Sequence, residues 1–116
     1  MAAAELIGAQ FEAEAAQAAG LMRALSNERR LLILCYLTEA DELSVGALVE
    51  RVGLSQSALS QHLAKLREQG LVSTRKEAQT VYYRVCDPRA GQLLSLLHDL
   101  FCPDLGREDD TPRDRS

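Results

Sequence analysis

Three cysteines, Cys35, Cys86 and Cys102, are the residues of this chain best able to make and break covalent bonds. A thiolate attacks the sulfur of a disulfide or a persulfide, and its reactivity follows its ionisation and exposure. Cys102 lies one helical turn beyond His98 and Asp99 and two beyond Ser95, on the polar face of an otherwise leucine-rich segment. His98 favours ionisation there, whereas the negative end of a helix dipole opposes it. Cys35 sits within the apolar run LLILCYL, where a small hydrophobe is an ordinary core choice, and Cys86 reads as a partly buried bystander. Other chemistry is thin: two histidines, no Cys-x-x-Cys, no glycine-rich phosphate loop and no obvious acid–base pair. Neither an enzyme nor a cofactor is expected.

The clearest organisation around the thiols is the stretch VGLSQSALSQHLAKL, Val52 to Leu66. Ser44 can cap a helix through Val45, Ala47, Leu48 and Val52, which Gly53 closes. Ser55 caps the next, whose apolar positions Ala58, Leu59, Leu63 and Leu66 follow the helical period. This is the punctuation of a helix-turn-helix. Ser57, Gln61, Ala64 and Glu68 fall opposite the apolar stripe, with Ser60 and Lys65 on its flanks. An ordinary solvated helix also has a polar outer face. A helix entering a major groove needs, in addition, small side chains for close approach and hydrogen-bonding groups for base edges, and Gln is a bidentate match for adenine.

Two short strands are expected next, Leu71 to Arg75 and Thr80 to Val85, rich in Val, Thr and Tyr and joined by a polar turn, Lys76 to Gln79. A helix-turn-helix followed by such a hairpin is a winged helix. Arg75, Lys76 and Arg84 are candidates for phosphate or minor-groove contact, and of Tyr82 and Tyr83 one should face the core and one outward. Between Arg51 and Arg84 stand six basic residues (Arg51, Lys65, Arg67, Arg75, Lys76, Arg84) against two acids (Glu68, Glu77), although the whole chain carries −4. Binding by counterion release needs a local basic zone, not a basic protein.

At 116 residues, 47% hydrophobic and 4% aromatic, the chain has room for one aliphatic core. We expect a single DNA-binding and dimerisation domain over residues 1–102 and a disordered tail over 103–116, where PDLGREDDTPRDRS has mixed charge and one apolar residue. No apolar run spans a bilayer and the start lacks a basic n-region, so a cytoplasmic protein with reduced cysteines is expected. The expected fold class is mainly α, formally α+β: a winged helix-turn-helix with a two-stranded β wing. Helices are expected from about Glu5 to Ala18, from Leu21 to Leu25, and from Glu28 to about Glu39 after a cap at Ser26 or Asn27. Asp87-Pro88 starts a last helix running to Phe101 or Cys102. That helix carries Leu93, Leu94, Leu96, Leu97, Leu100 and Phe101, more apolar surface than one face of a small domain needs. With Leu6, Ile7 and Phe11 it is expected to form a homodimer interface, giving a reader of pseudo-palindromic double-stranded DNA.

The phrase ALSNERRLLIL, the pattern VGLSQSALSQHLAKLREQGLV and the wing ending in YYR resemble the ArsR family of winged-helix bacterial repressors over about Ala24 to Cys102. The resemblance implies a small dimeric regulator that leaves its operator on sensing a metal, a metalloid or a reactive species. It puts Gln56, Ser57, Ser60, Gln61 and His62 at the operator, Gln61 foremost, with Lys65, Arg67, Arg75, Lys76 and Arg84 as the basic contacts. His62 lies at the edge of the apolar stripe, where packing or a phosphate contact competes with base reading. The arsenic and cadmium type of the family needs a Cys-x-Cys where this chain reads DELSVGAL, Asp41 to Leu48. The zinc type needs Asp-x-His and later ligands where this chain has Arg89, Leu100 and Pro103. Neither metal site is expected.

More narrowly, LLILCYL and LHDLFCP resemble the sulfur-sensing branch of that family, typified by the SqrR and BigR repressors. The resemblance implies that Cys35 and Cys102 face each other between the core helix and the last helix. There, reactive sulfur species (persulfides) join them through a polysulfide bridge, and the operator of sulfide-oxidation or detoxification genes is released. The alternatives are a general peroxide or electrophile switch with a direct Cys35–Cys102 disulfide, a metal sensor using another site, and a winged-helix module that only binds proteins.

Overall fold

A computed structural model describes residues 3–102, with side chains from residue 7 onward. The chain opens with α1 (Ala3–Leu25), a single 23-residue helix. The expected break between Ala18 and Leu21 does not occur. Gly20 costs about 1 kcal/mol against alanine in a helix interior, and the surrounding alanines carry the helix through it. Asn27 accepts a hydrogen bond from the Arg30 amide at 3.0 Å and starts α2 (Glu28–Ala40). Asp41, in the left-handed region at φ 75°, turns the chain out of that helix.

A two-residue strand, β1 (Leu43–Ser44), leads into α3 (Val45–Val52), which Ser44 caps and Gly53 ends at φ 82°. Then come α4 (Gln56–Glu68), β2 (Val72–Glu77), β3 (Thr80–Val85) and α5 (Pro88–Phe101). The hairpin turn is tighter than expected: Glu77 pairs with Thr80, so Lys76 and Glu77 are strand residues and only Ala78 and Gln79 make the turn, with Ala78 at φ 57°. The sheet also has three strands instead of two, in the order β1-β3-β2 and antiparallel throughout.

Register decides what each strand residue faces. Tyr83 lies opposite Leu43 and Thr74 and packs on the core. Tyr82 lies opposite Ser44 and Arg75 on the outer face. One core joins the helices, with Ile33, Leu34 and Leu37 from α2, Leu59, Leu63 and Leu66 from α4, and Leu94 from α5 almost wholly shielded. α2 runs through the middle, against α1, α3, β3 and α5. Its remaining apolar residues, Leu31, Leu32, Cys35 and Tyr36, are half-buried because α5 covers that side incompletely.

Every side chain from Ile7 to Ala19 is exposed, Phe11 at 65%, and α5 leaves Leu96, Leu100 and Phe101 uncovered. Among the described residues no helix is long and apolar enough to cross a membrane. The tail expected over residues 103–116 lies outside the described residues.

Candidate nucleic-acid interface and thiol cavity

Two caps orient the helix-turn-helix. The Ser44 hydroxyl accepts from the Ala47 amide at 3.2 Å and the Ser55 hydroxyl from the Ala58 amide at 3.1 Å, so both helices start at fixed points. Gly53 donates its amide to the Val49 carbonyl at 3.1 Å, a left-handed stop that lets α4 leave at an angle. With Leu59, Leu63 and Leu66 buried, α4 presents Gln56, Ser57, Ser60 and Gln61 to solvent, followed by exposed Lys65 and Arg67. His62 is half-buried at the edge of this face. Burial, then the charges of Arg30 and Lys65, hold its imidazole below its ordinary range, so at pH 7 it is neutral and can donate or accept one hydrogen bond.

The wing divides its basic residues into two kinds. Lys76 and Arg84 are exposed and make no ion pair among the described residues. Arg75 is engaged: Nε and Nη2 donate to Glu42 at 2.8 and 2.9 Å and Nη1 to Glu77 at 2.7 Å. Its guanidinium also lies over the Tyr82 ring, 4.7 Å from the centroid. Sequence reasoning missed Glu42, because the contact spans 33 positions and depends on a two-residue strand too short to announce itself.

The second site lies on the other side of α2. Cys35, in the middle of α2, and Cys102, directly after α5, line one cavity of about 360 Å³ between the two helices. Its walls are apolar, with Leu31 and Leu32 from α2 and Leu97 and Phe101 from α5, and Glu39 and His98 supply polar groups. Cys35, Glu39 and His98 also border a smaller neighbouring cavity of about 180 Å³. Burial chiefly, then the nearby Cys102 sulfur and the Glu39 carboxylate, push the Cys35 thiol up from its ordinary range. Both sulfurs are free and half-buried.

Cys86 differs from the expected partly buried bystander in being exposed, since β3 ends one residue earlier and the chain is turning toward α5. Its Sγ donates to the Gly70 carbonyl at 3.4 Å and does not line the cavity. Among the described residues no three His, Cys, Asp or Glu side chains are gathered closely enough to hold a metal ion.

The profile of the arsR family of bacterial regulatory proteins matches residues 27–74, from the start of α2 into β2. The transcriptional activator HlyU of Vibrio cholerae is 55% identical over 93 residues, 80% of this chain and 85% of that protein. The solved structure of its reduced form superposes with a TM-score of 0.77, covering 80% of this chain and 97% of that one. The transcriptional repressor BigR from Xylella fastidiosa superposes at 0.74 with 40% identity, covering 80% of this chain and 94% of that one.

Proposed function

The chain belongs to the arsR family of bacterial regulatory proteins, winged-helix transcriptional regulators and not enzymes, and we propose that it is a homodimeric repressor whose inducer is a reactive sulfur species. The observation that carries the sensing half is the shared apolar cavity of Cys35 and Cys102. Two thiols from segments far apart in sequence meet at a pocket with room for added atoms and little to stabilise charge.

The chemistry needs no oxidant beyond the persulfide. A cysteine thiolate takes the outer sulfur of R–S–SH, releasing R–S⁻ and becoming a persulfide itself. When both cysteines carry an outer sulfur, one persulfide anion attacks the inner sulfur of the other and expels hydrosulfide. A bridge with one additional sulfur remains; where one cysteine has first taken up a second outer sulfur to become Cys–S–S–SH, the same attack with loss of hydrosulfide leaves a bridge with two. An apolar cavity suits such a chain of uncharged sulfur atoms. Because Cys102 directly follows α5, the link ties α2 to the helix that exposes Leu96, Leu100 and Phe101. Those residues and Ile7 and Phe11 of α1 are the surface we assign to the dimer, so the link changes the separation of the two α4 helices. The test is the intact mass of the reduced protein after an organic persulfide and, separately, after peroxide, with the linked peptides mapped. A Cys35–Cys102 link retaining extra sulfur only after persulfide is expected; a plain disulfide from either reagent makes the protein a general thiol switch, and no link removes the proposal.

The reading half rests on the exposed small and polar face of α4. We assign Gln56, Ser57, Ser60 and Gln61 to the major groove, and Lys65, Arg67, Lys76 and Arg84 to phosphates, with neutral His62 at the edge. Gln61→Ala is expected to weaken operator binding by about 1–3 kcal/mol per half-site while leaving the dimer intact. Titration of operator DNA with the variant measures this, and an unchanged affinity would show that α4 meets DNA with other residues.

A further inference from the structure

We infer that Arg75 is a positioning residue that fixes the angle of the wing against the helix-turn-helix, and that it is not a phosphate ligand. This rests on the reading of the protein as a DNA-binding winged helix. The guanidinium has five N–H donors in a planar fork, and three of its bonds are already made to carboxylates at 2.7 to 2.9 Å. The two bonds to Glu42 are the paired geometry in which arginine and a carboxylate fit best. One face of the fork is occupied by the Tyr82 ring.

Charge argues the same way. Two carboxylates surround one guanidinium, and hydrogen bonding from Arg75, aided by the charges of Arg75 and Arg84, holds the Glu42 carboxyl below its ordinary range, so it stays ionised at neutral pH. A phosphate approaching Arg75 would also come close to the Glu42 and Glu77 carboxylates, whose charges repel it.

The placement of this ion pair says what it does. Glu42 immediately precedes β1, and Ser44, at the end of β1, caps α3. Arg75 lies on β2, the strand at the opposite edge of the sheet from β1. Its bonds to Glu42 therefore reach over β3, where Tyr82 is the residue between them, opposite Ser44 on one side and Arg75 on the other. The pair clamps the far strand of the wing to the segment that begins the DNA-reading pair of helices. Lys76 and Arg84 then meet the DNA backbone at a set distance from α4.

The test is operator binding over a salt series for the wild-type protein, Arg75→Gln, Glu42→Gln and the double variant, with Arg75 exposed, Glu42 half-buried and neither in the core. We expect Arg75→Gln and Glu42→Gln each to weaken binding by about two- to fivefold. The double variant should bind no more weakly than either single one, and the slope of log affinity against log salt should stay that of the wild type. Two results together would overturn the inference and return Arg75 to the phosphates. One is a slope shallower by about 1.8 in Arg75→Gln, the change expected when one phosphate per protomer, two per dimer, is no longer neutralised. The other is tighter binding by Glu42→Gln. Wild-type protein without any salt-dependent binding to duplex DNA would instead overturn the DNA reading itself.

Discussion

Operator complexes of Cys35→Ser and of Cys102→Ser should survive an amount of persulfide that releases the wild-type protein. Coupling between an inducer and DNA is typically about 5- to 150-fold in affinity, and either substitution should reduce it to none. Serine keeps the size and partial burial of the side chain but cannot accept a sulfur atom, so the cavity persists while the bridge cannot close. Affinity without persulfide should be unchanged, because neither residue is on α4 or the wing. The wild-type response should also quicken with pH. Burial raises the Cys35 thiol, so its thiolate fraction keeps climbing about tenfold per pH unit across the neutral range and above. Release followed by fluorescence anisotropy at several pH values would check both points. A single serine variant that still releases DNA fully would eliminate the two-thiol bridge, and a rate flat across the neutral range would remove Cys35 from the slow step.

The largest fall in stability is expected at Leu34. Its side chain is 0% exposed, in the middle of the helix that touches α1, α3, β3 and α5. Leu34→Ala removes buried methyl groups and leaves a void that such a crowded site cannot close, at a cost of about 2–5 kcal/mol. Domains of this size have roughly 5–15 kcal/mol in total, so the thermal midpoint should fall by more than about 10 °C. Calorimetry of wild type and variant at equal protomer concentration would measure it, since the midpoint of a protein that dimerises depends on concentration. A drop under about 3 °C would mean that α2 is not the centre of the core.

Much of this architecture was legible because its signals are local. Asn27, Ser44, Ser55 and Asp87 each bond an amide two or three residues ahead, and Gly53 adopts the left-handed conformation that glycine tolerates. The buried face of α4 follows a period contained within the helix itself. The unread features are those decided by distant partners or by small sums. Strand β1 is two residues long and exists only because Tyr82 and Tyr83 pair with it. Arg75 looked like any wing arginine until Glu42 came beside it. The break expected between Ala18 and Leu21, where Gly20 lies, is outweighed by the helix propensity of the surrounding alanines. For the thiols, periodicity put each on its own helix, and only the family resemblance implied that they belong together.

The positions of Cys35 and Cys102 along the chain have a consequence for how long a signal lasts. α3, α4, β2 and β3 all lie between them. A covalent link would make the whole DNA-reading segment a closed ring, and a ring of roughly 70 residues restricts the denatured ensemble by an amount equivalent to about 4 kcal/mol. The form that has released its operator would then be the more rugged one, slower to be proteolysed or melted than the form that binds. Reset would depend on chemical reduction of the ring and not on turnover of the polypeptide, so the same molecules would return to the operator once the sulfur is removed.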